Sequence, residues 1–180
     1  LQTNEFVCVP LNGNHLRLDY LAVMESRNYL NIWRQSSWPT PEFTLDENLQ
    51  DLLDHEKEHT ERLAFTFTIL SVDLKVCLGC VYIHPFVGDV LTTPSWVNNQ
   101  QYCAMIRFWV RNSHQNTDLE RFISNSIVSW IKQDWAFDVS IFATSEKCVQ
   151  QQDLWLSIGL QEDDRIELKG KYAGTWISFR

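Results

Sequence analysis

The chain has 180 residues, 44% of them apolar and 13% aromatic, with 15 basic against 23 acidic residues and a formal net charge of −8. That content suffices for one well-packed domain over residues 1–180 and excludes a disordered or fibrous polymer. Scattered basic residues under an acidic balance argue against nucleic-acid binding, which needs many phosphates neutralised, and no apolar run approaches the roughly 20 residues that cross a bilayer. No basic-then-apolar leader precedes Asn4, so the expectation is a cytoplasmic protein without membrane partners, acting as a monomer or homodimer. An acidic surface favours cationic partners such as amines.

In chain order, a short strand is expected from Phe6 to Val9, stopped by Pro10 and followed by a turn around Asn12-Gly13-Asn14. Between Asp19 and Trp33 the residues Leu21, Val23, Met24, Leu30 and Trp33 suggest one helix or two short ones, ended by Trp38-Pro39-Thr40-Pro41. A clearer helix runs from about Leu45 to Arg62, with Leu49, Leu52 and Leu53 on one face. The period then changes, so that Ala64 to Leu70 and Val76 to His84 read as two strands joined by a short turn. A polar insert from Pro85 to Gln100 leads to a third strand, Tyr102 to Val110.

After a loop, Leu119, Phe122, Ile123, Ile127, Trp130 and Ile131 recur at spacings of three and four, the pattern of an amphipathic helix. Thr117 is its expected N-cap and Glu120 completes a capping box, each side chain accepting from the other residue's backbone N–H. Val139 to Ala143 reads as a strand, Lys147 to Ser157 as a short helix stopped at Gly159, and Arg165 to Leu168 and Thr175 to Phe179 as closing strands.

The cysteines Cys8, Cys77, Cys80, Cys103 and Cys148 are odd in number and sit in strand-like segments, which fits reduced buried thiols. Cys77-Leu78-Gly79-Cys80 has C-x-x-C spacing, but residues three apart point to opposite faces of a regular strand, and no second pair or nearby histidines complete a zinc set. Two packed core thiols and no metal are therefore expected. On the third strand, alternation places Arg107 beside Met105 and Trp109, so a buried guanidinium needs a partner, either an internal carboxylate or an acidic group of a substrate. His84 is the candidate base, because its ordinary pKa suits proton transfer near neutrality. Asp19 and Tyr20 are candidates to line an acceptor groove if the first helices form its wall.

This element order, with the hairpin ending in CLGCVYI, the strand into helix of RFWVR…TDLERFI and the segment QQQDLWLSIGL, resembles the GCN5-related N-acetyltransferase (GNAT) superfamily. The resemblance implies an α+β fold of α/β/α layers, the acyl-CoA N-acyltransferase fold, with a mixed, mostly antiparallel central sheet flanked by helices. It implies acetyl-CoA, or another acyl-CoA, as cosubstrate. The pantetheine would pair with the strand at Phe108, Trp109 and Val110, and the pyrophosphate would sit on the loop Arg111, Asn112, Ser113, His114, Gln115, Asn116 and Thr117.

The departures from that family are equally specific. Its loop reads Q/R-x-x-G-x-G/A, and matching Gln115 to the first position puts Asp118 and Glu120 where glycines stand. Trp155 falls where many members carry a Tyr that protonates the leaving thiolate, and an indole N–H is not a usable acid. Two functions follow as expectations. The first is an N-acetyltransferase passing a short acyl group by direct attack to a small-molecule or peptide amine; the second is a GNAT-like binding module without acetyl-CoA turnover.

Overall fold

A computed structural model describes residues 1–86, 103–170 and 173–180. Most of the insert expected from Pro85 to Gln100, and Tyr102, lie outside the described residues. Strand β1 (Phe6–Pro10) leads through a turn of 3₁₀ helix at Gly13–His15 into helices α1 (Leu16–Glu25), α2 (Arg27–Arg34) and α3 (Leu45–Thr60). Strands β2 (Phe65–Ser71), β3 (Cys77–Pro85) and β4 (Cys103–Val110) follow, then α4 (Asp118–Asp134), β5 (Val139–Ser145), α5 (Val149–Ser157), β6 (Glu162–Leu168) and β7 (Gly174–Phe179). The two short helices left open by the sequence are thus α1 and α2. They part at Ser26, whose backbone leaves the helical region.

The strands form one seven-stranded sheet in the order β1-β2-β3-β4-β5-β7-β6. Every neighbouring pair is antiparallel except β4 and β5, which run parallel because α4 carries the chain back to the start of the sheet. One face packs Phe67, Ile69, Val81, Ile106 and Phe108 against Ile123, Ile127 and Ile131 of α4 and Trp155 of α5. The other packs Leu70, Cys77, Cys80 and Trp109 under Val23, Leu30, Trp33 and Leu52 of α1 to α3. Both faces are covered, so the central strands read as near-continuous apolar runs.

Three local expectations are corrected. The face argument for Cys77 and Cys80 fails, because a β-bulge shifts the β2–β3 register between Ile69/Gly79 and Leu70/Cys77. The extra residue returns both thiols to the α1–α3 side, while Leu78 and Val81 face α4. Gly79 makes this possible, since its φ is +148° and a Cβ there would lie 2.0 Å from the Trp109 carbonyl oxygen. At α4, Thr117 Oγ1 accepts from Glu120 N at 3.2 Å as expected, but Glu120 Oε2 accepts from Asn116 N at 2.6 Å instead of closing the box on Thr117. A closed capping box occurs instead at Thr44 and Glu47, at the start of α3. Finally, Phe122 of α4 and Leu53 of α3 are exposed, so each helix buries a narrower stripe than its pattern suggested.

Candidate functional site

The parallel pairing of β4 with β5 runs from Cys103/Val139 to Ile106/Phe142 and then stops. Beyond it, β4 continues beside β3 and β5 continues beside β7, so the sheet opens between Arg107–Val110 and Ala143–Ser145. Side chains of this chain fill the opening. The Phe108 carbonyl accepts from Gln151 Nε2 at 2.9 Å, and the Val110 carbonyl accepts from Gln115 Nε2 at 2.9 Å. Trp155, fully buried, lies against Phe108, Phe142 and Phe179 with ring centroids 5.1, 6.3 and 5.4 Å away. It packs on the α4 face over residues of β4, β5 and β7.

The loop from Arg111 to Thr117 is tied down in the same way. The amides of Arg111, His114 and Gln115 donate to the carbonyls of Leu78, Arg111 and Asn112. Asn112 N donates to Ser26 Oγ and Ser113 N to Glu25 Oε1, both at 3.0 Å, and Asn116 N donates to Glu120 as described. The cation of the loop is also engaged, because Arg111 Nε reaches Glu25 Oε2 at 2.7 Å and Arg111 Nη2 makes a second contact with the same oxygen. That guanidinium, followed by the Ser113 hydrogen bonds, holds the Glu25 carboxyl down at about 2. His114 sits beside the Ser113 hydroxyl at 3.0 Å, and the Thr117 hydroxyl donates to the His114 carbonyl. A surface groove at the start of α4 is lined by Asp118, Glu120 and Asp153 against Arg121. A diphosphate needs converging N–H donors and positive charge. Residues 112–116 give their amides to the chain itself, and three carboxylates face one arginine in the groove beside them, which makes this a poor lining for a diphosphate.

On the opposite face, between α1–α3 and the strands β3 and β4, lies a cavity lined among others by Asp19, Trp33, Trp38, Asp51, Tyr82 and Arg107. Asp54, His55, Arg34 and Cys80 also reach it. Arg107 is buried, with its guanidinium carbon 5.4 Å from the Trp33 ring centre and 4.9 Å from that of Trp176, so aromatic faces flank the charge. Trp109 Nε1 donates to the Tyr82 hydroxyl at 3.2 Å. Asp19 accepts from Asn48 Nδ2 at 3.0 Å and from Cys80 Sγ at 3.4 Å, and burial pushes its carboxyl up to about 6 against the opposing pull of those hydrogen bonds.

The structure therefore brings Asp19 and Arg107 to one cavity and places the other candidates elsewhere. Tyr20 turns away, stacking on Phe43 and donating to its carbonyl at 2.9 Å. His84 is nearly buried opposite Met105 and stacks on Tyr82, at the end of β3 and outside the cavity lining. Phe108, Trp109 and Val110 are buried in β4. Sequence reasoning missed Glu25, Ser26 and Gln151. The first two meet the loop across 86 or more residues, and no local pattern marks such a pairing.

No family model matches the chain, and no curated protein matches its sequence. Solved structures do match. The ribosomal-protein-S5-alanine acetyltransferase of Vibrio fischeri superposes with a TM-score of 0.71 at 13% identity, covering 100% of this chain and 94% of the other. The microcin C7 self-immunity acetyltransferase in complex with acetyl-CoA and AMP gives 0.72 at 9% identity, covering 98% and 92%. The spermidine N-acetyltransferase of Vibrio cholerae in complex with CoA and spermine gives 0.67 at 14%, covering 99% and 96%. Among the described residues no helix is long and apolar enough to cross a membrane. With its sheet order, its parallel β4–β5 pair and near-complete superposition on these enzymes, the chain has the acyl-CoA N-acyltransferase fold of the GNAT acetyltransferases.

Proposed function

We propose that residues 1–180 form a GNAT-fold binding module that takes a small amine-bearing ligand without turning over acetyl-CoA. The observation that carries this reading is the fate of the amides of residues 112–116, all of which donate to acceptors within the chain. Trp155 supports it from the α4 face of the sheet, where the indole packs over Phe108 of β4 and Phe142 of β5. The ligand class follows from the cavity. Asp54 brings a carboxylate to the cavity wall, and Trp33, Trp38 and Tyr82 supply aromatic faces of the kind that hold an amine cation. A net charge of −8 favours the approach of a cation, and a similar structure holds spermine.

The transferase reading keeps one observation in its favour: the sheet does open after Ile106, as acyl transfer between two strands would require. Calorimetric titration separates the two. The module reading expects no heat with millimolar acetyl-CoA and a saturable signal with at least one member of a panel of diamines, polyamines and amino-terminal peptides. Saturable acetyl-CoA binding, with amine-dependent release of free thiol, would establish the transferase instead.

A further inference from the structure

The bulge in β3 does more than correct a face assignment, because it sets two thiols beside a carboxylate. Cys77 Sγ, Cys80 Sγ and a carboxylate oxygen of Asp19 all lie within 4.8 Å of one another, in a region where the three residues are 0%, 1% and 4% exposed. The cluster joins two elements: α1 packs on β3, and Cys80 Sγ stands 3.4 Å from Asp19 Oδ1. We propose that Asp19, Cys77 and Cys80 bind a borderline-soft divalent cation, zinc by the chemistry of the donors.

Three features support a ligand set over a mere packing of thiols. Zn–S bonds of about 2.3 Å and Zn–O bonds of about 2.0 Å at a tetrahedral centre put the donors roughly 3.5–3.8 Å apart; Cys80 Sγ and Asp19 Oδ1 already stand 3.4 Å apart, and Cys77 Sγ lies within 4.8 Å of both residues' donor atoms. The carboxylate is oriented from outside, since Asn48 Nδ2 donates to Asp19 Oδ2 at 3.0 Å and leaves Oδ1 turned to Cys80, as ligating carboxylates are usually held. Asp19 and Cys80 also line the cavity under α1–α3, which gives an entry path and room for water as the fourth ligand. On binding, the two thiols release their protons to solvent, and the resulting thiolates with the carboxylate set three negative charges against the two of the cation. Arg34 and Arg107, on the same cavity wall, offset the remainder.

The test uses cobalt(II) as the probe, on the whole chain kept reduced with a phosphine. One equivalent is expected to produce a thiolate-to-cobalt charge-transfer band that zinc abolishes. Cys77→Ser and Cys80→Ser should each weaken binding at least as much as loss of an outer-shell partner, roughly 10–100-fold, and Asn48→Ala should weaken it about 10-fold through the orientation of Asp19. Cys8→Ser leaves the band unchanged, because Cys8 faces α4 on the other side of the sheet. Absence of a charge-transfer band in the wild-type protein overturns the proposal without recourse to any variant. So does a band that keeps its wild-type affinity in the Cys77→Ser/Cys80→Ser double variant.

Discussion

Replacing Trp155 by Ala is expected to destabilise the protein by about 3–5 kcal/mol in urea unfolding, because a fully buried indole would leave a cavity among Phe108, Phe142 and Phe179. A change below about 1 kcal/mol would mean the indole does not pack as described. Glu25 gives a pH signature. Its carboxyl falls from 4.5 to about 2 in the folded chain, so its contribution is complete above pH 4.5 and is lost as the pH drops toward 2. Glu25→Gln should therefore melt below the wild type at neutral pH, with the gap closing across that acidic window. A third of the Glu25 side chain is exposed, so the gap is modest. A gap that persists at pH 2 would assign the loss to packing and not to charge. At this scale the sequence reveals what is local: Thr117 reads as a cap from its neighbours alone. Glu25 is opaque, since its partners Arg111 and Ser113 are more than 80 residues away.

At the scale of elements, hydrophobic period located each strand and helix among the described residues to within a few positions, because the sheet is buried on both faces and the helices on one. What it did not reveal was the bulge. Apolar alternation does not mark a register shift in a run such as VCLGCVYI, where either face is hydrophobic, and the strand-interior Gly79 is the local sign of it. Gly79→Ala tests it: a Cβ 2.0 Å from the Trp109 carbonyl at a φ of +148° should cost at least about 3 kcal/mol or prevent folding. A soluble variant of unchanged stability would contradict the bulge. The α4 cap offers a milder test. Thr117→Ala should lose about 1 kcal/mol, since one first-turn amide loses its acceptor.

For the whole molecule, element order together with three local sequences led to the GNAT fold, and superposition over 98–100% of the chain bears that out at identities of 9–14%. The site was less legible. Carboxylates at Asp118 and Glu120 signalled from the sequence that the loop is poor for phosphate, yet the engagement of its amides depends on Ser26, Glu25 and the turn geometry of 111–116, which only the folded chain brings together. The same holds for the opening after Ile106, which exists in the register of four strands and in no single segment. The central claim is that the chain's own groups occupy the place where a nucleotide cosubstrate would bind. Amide resonances of an isotope-labelled sample, recorded with and without millimolar acetyl-CoA, test it directly. The account predicts that the backbone amides of Asn112, Ser113, Gln115 and Asn116 and the side-chain amides of Gln115 and Gln151 do not move. Saturable shifts confined to those groups would contradict it and return the loop to the service of acyl transfer.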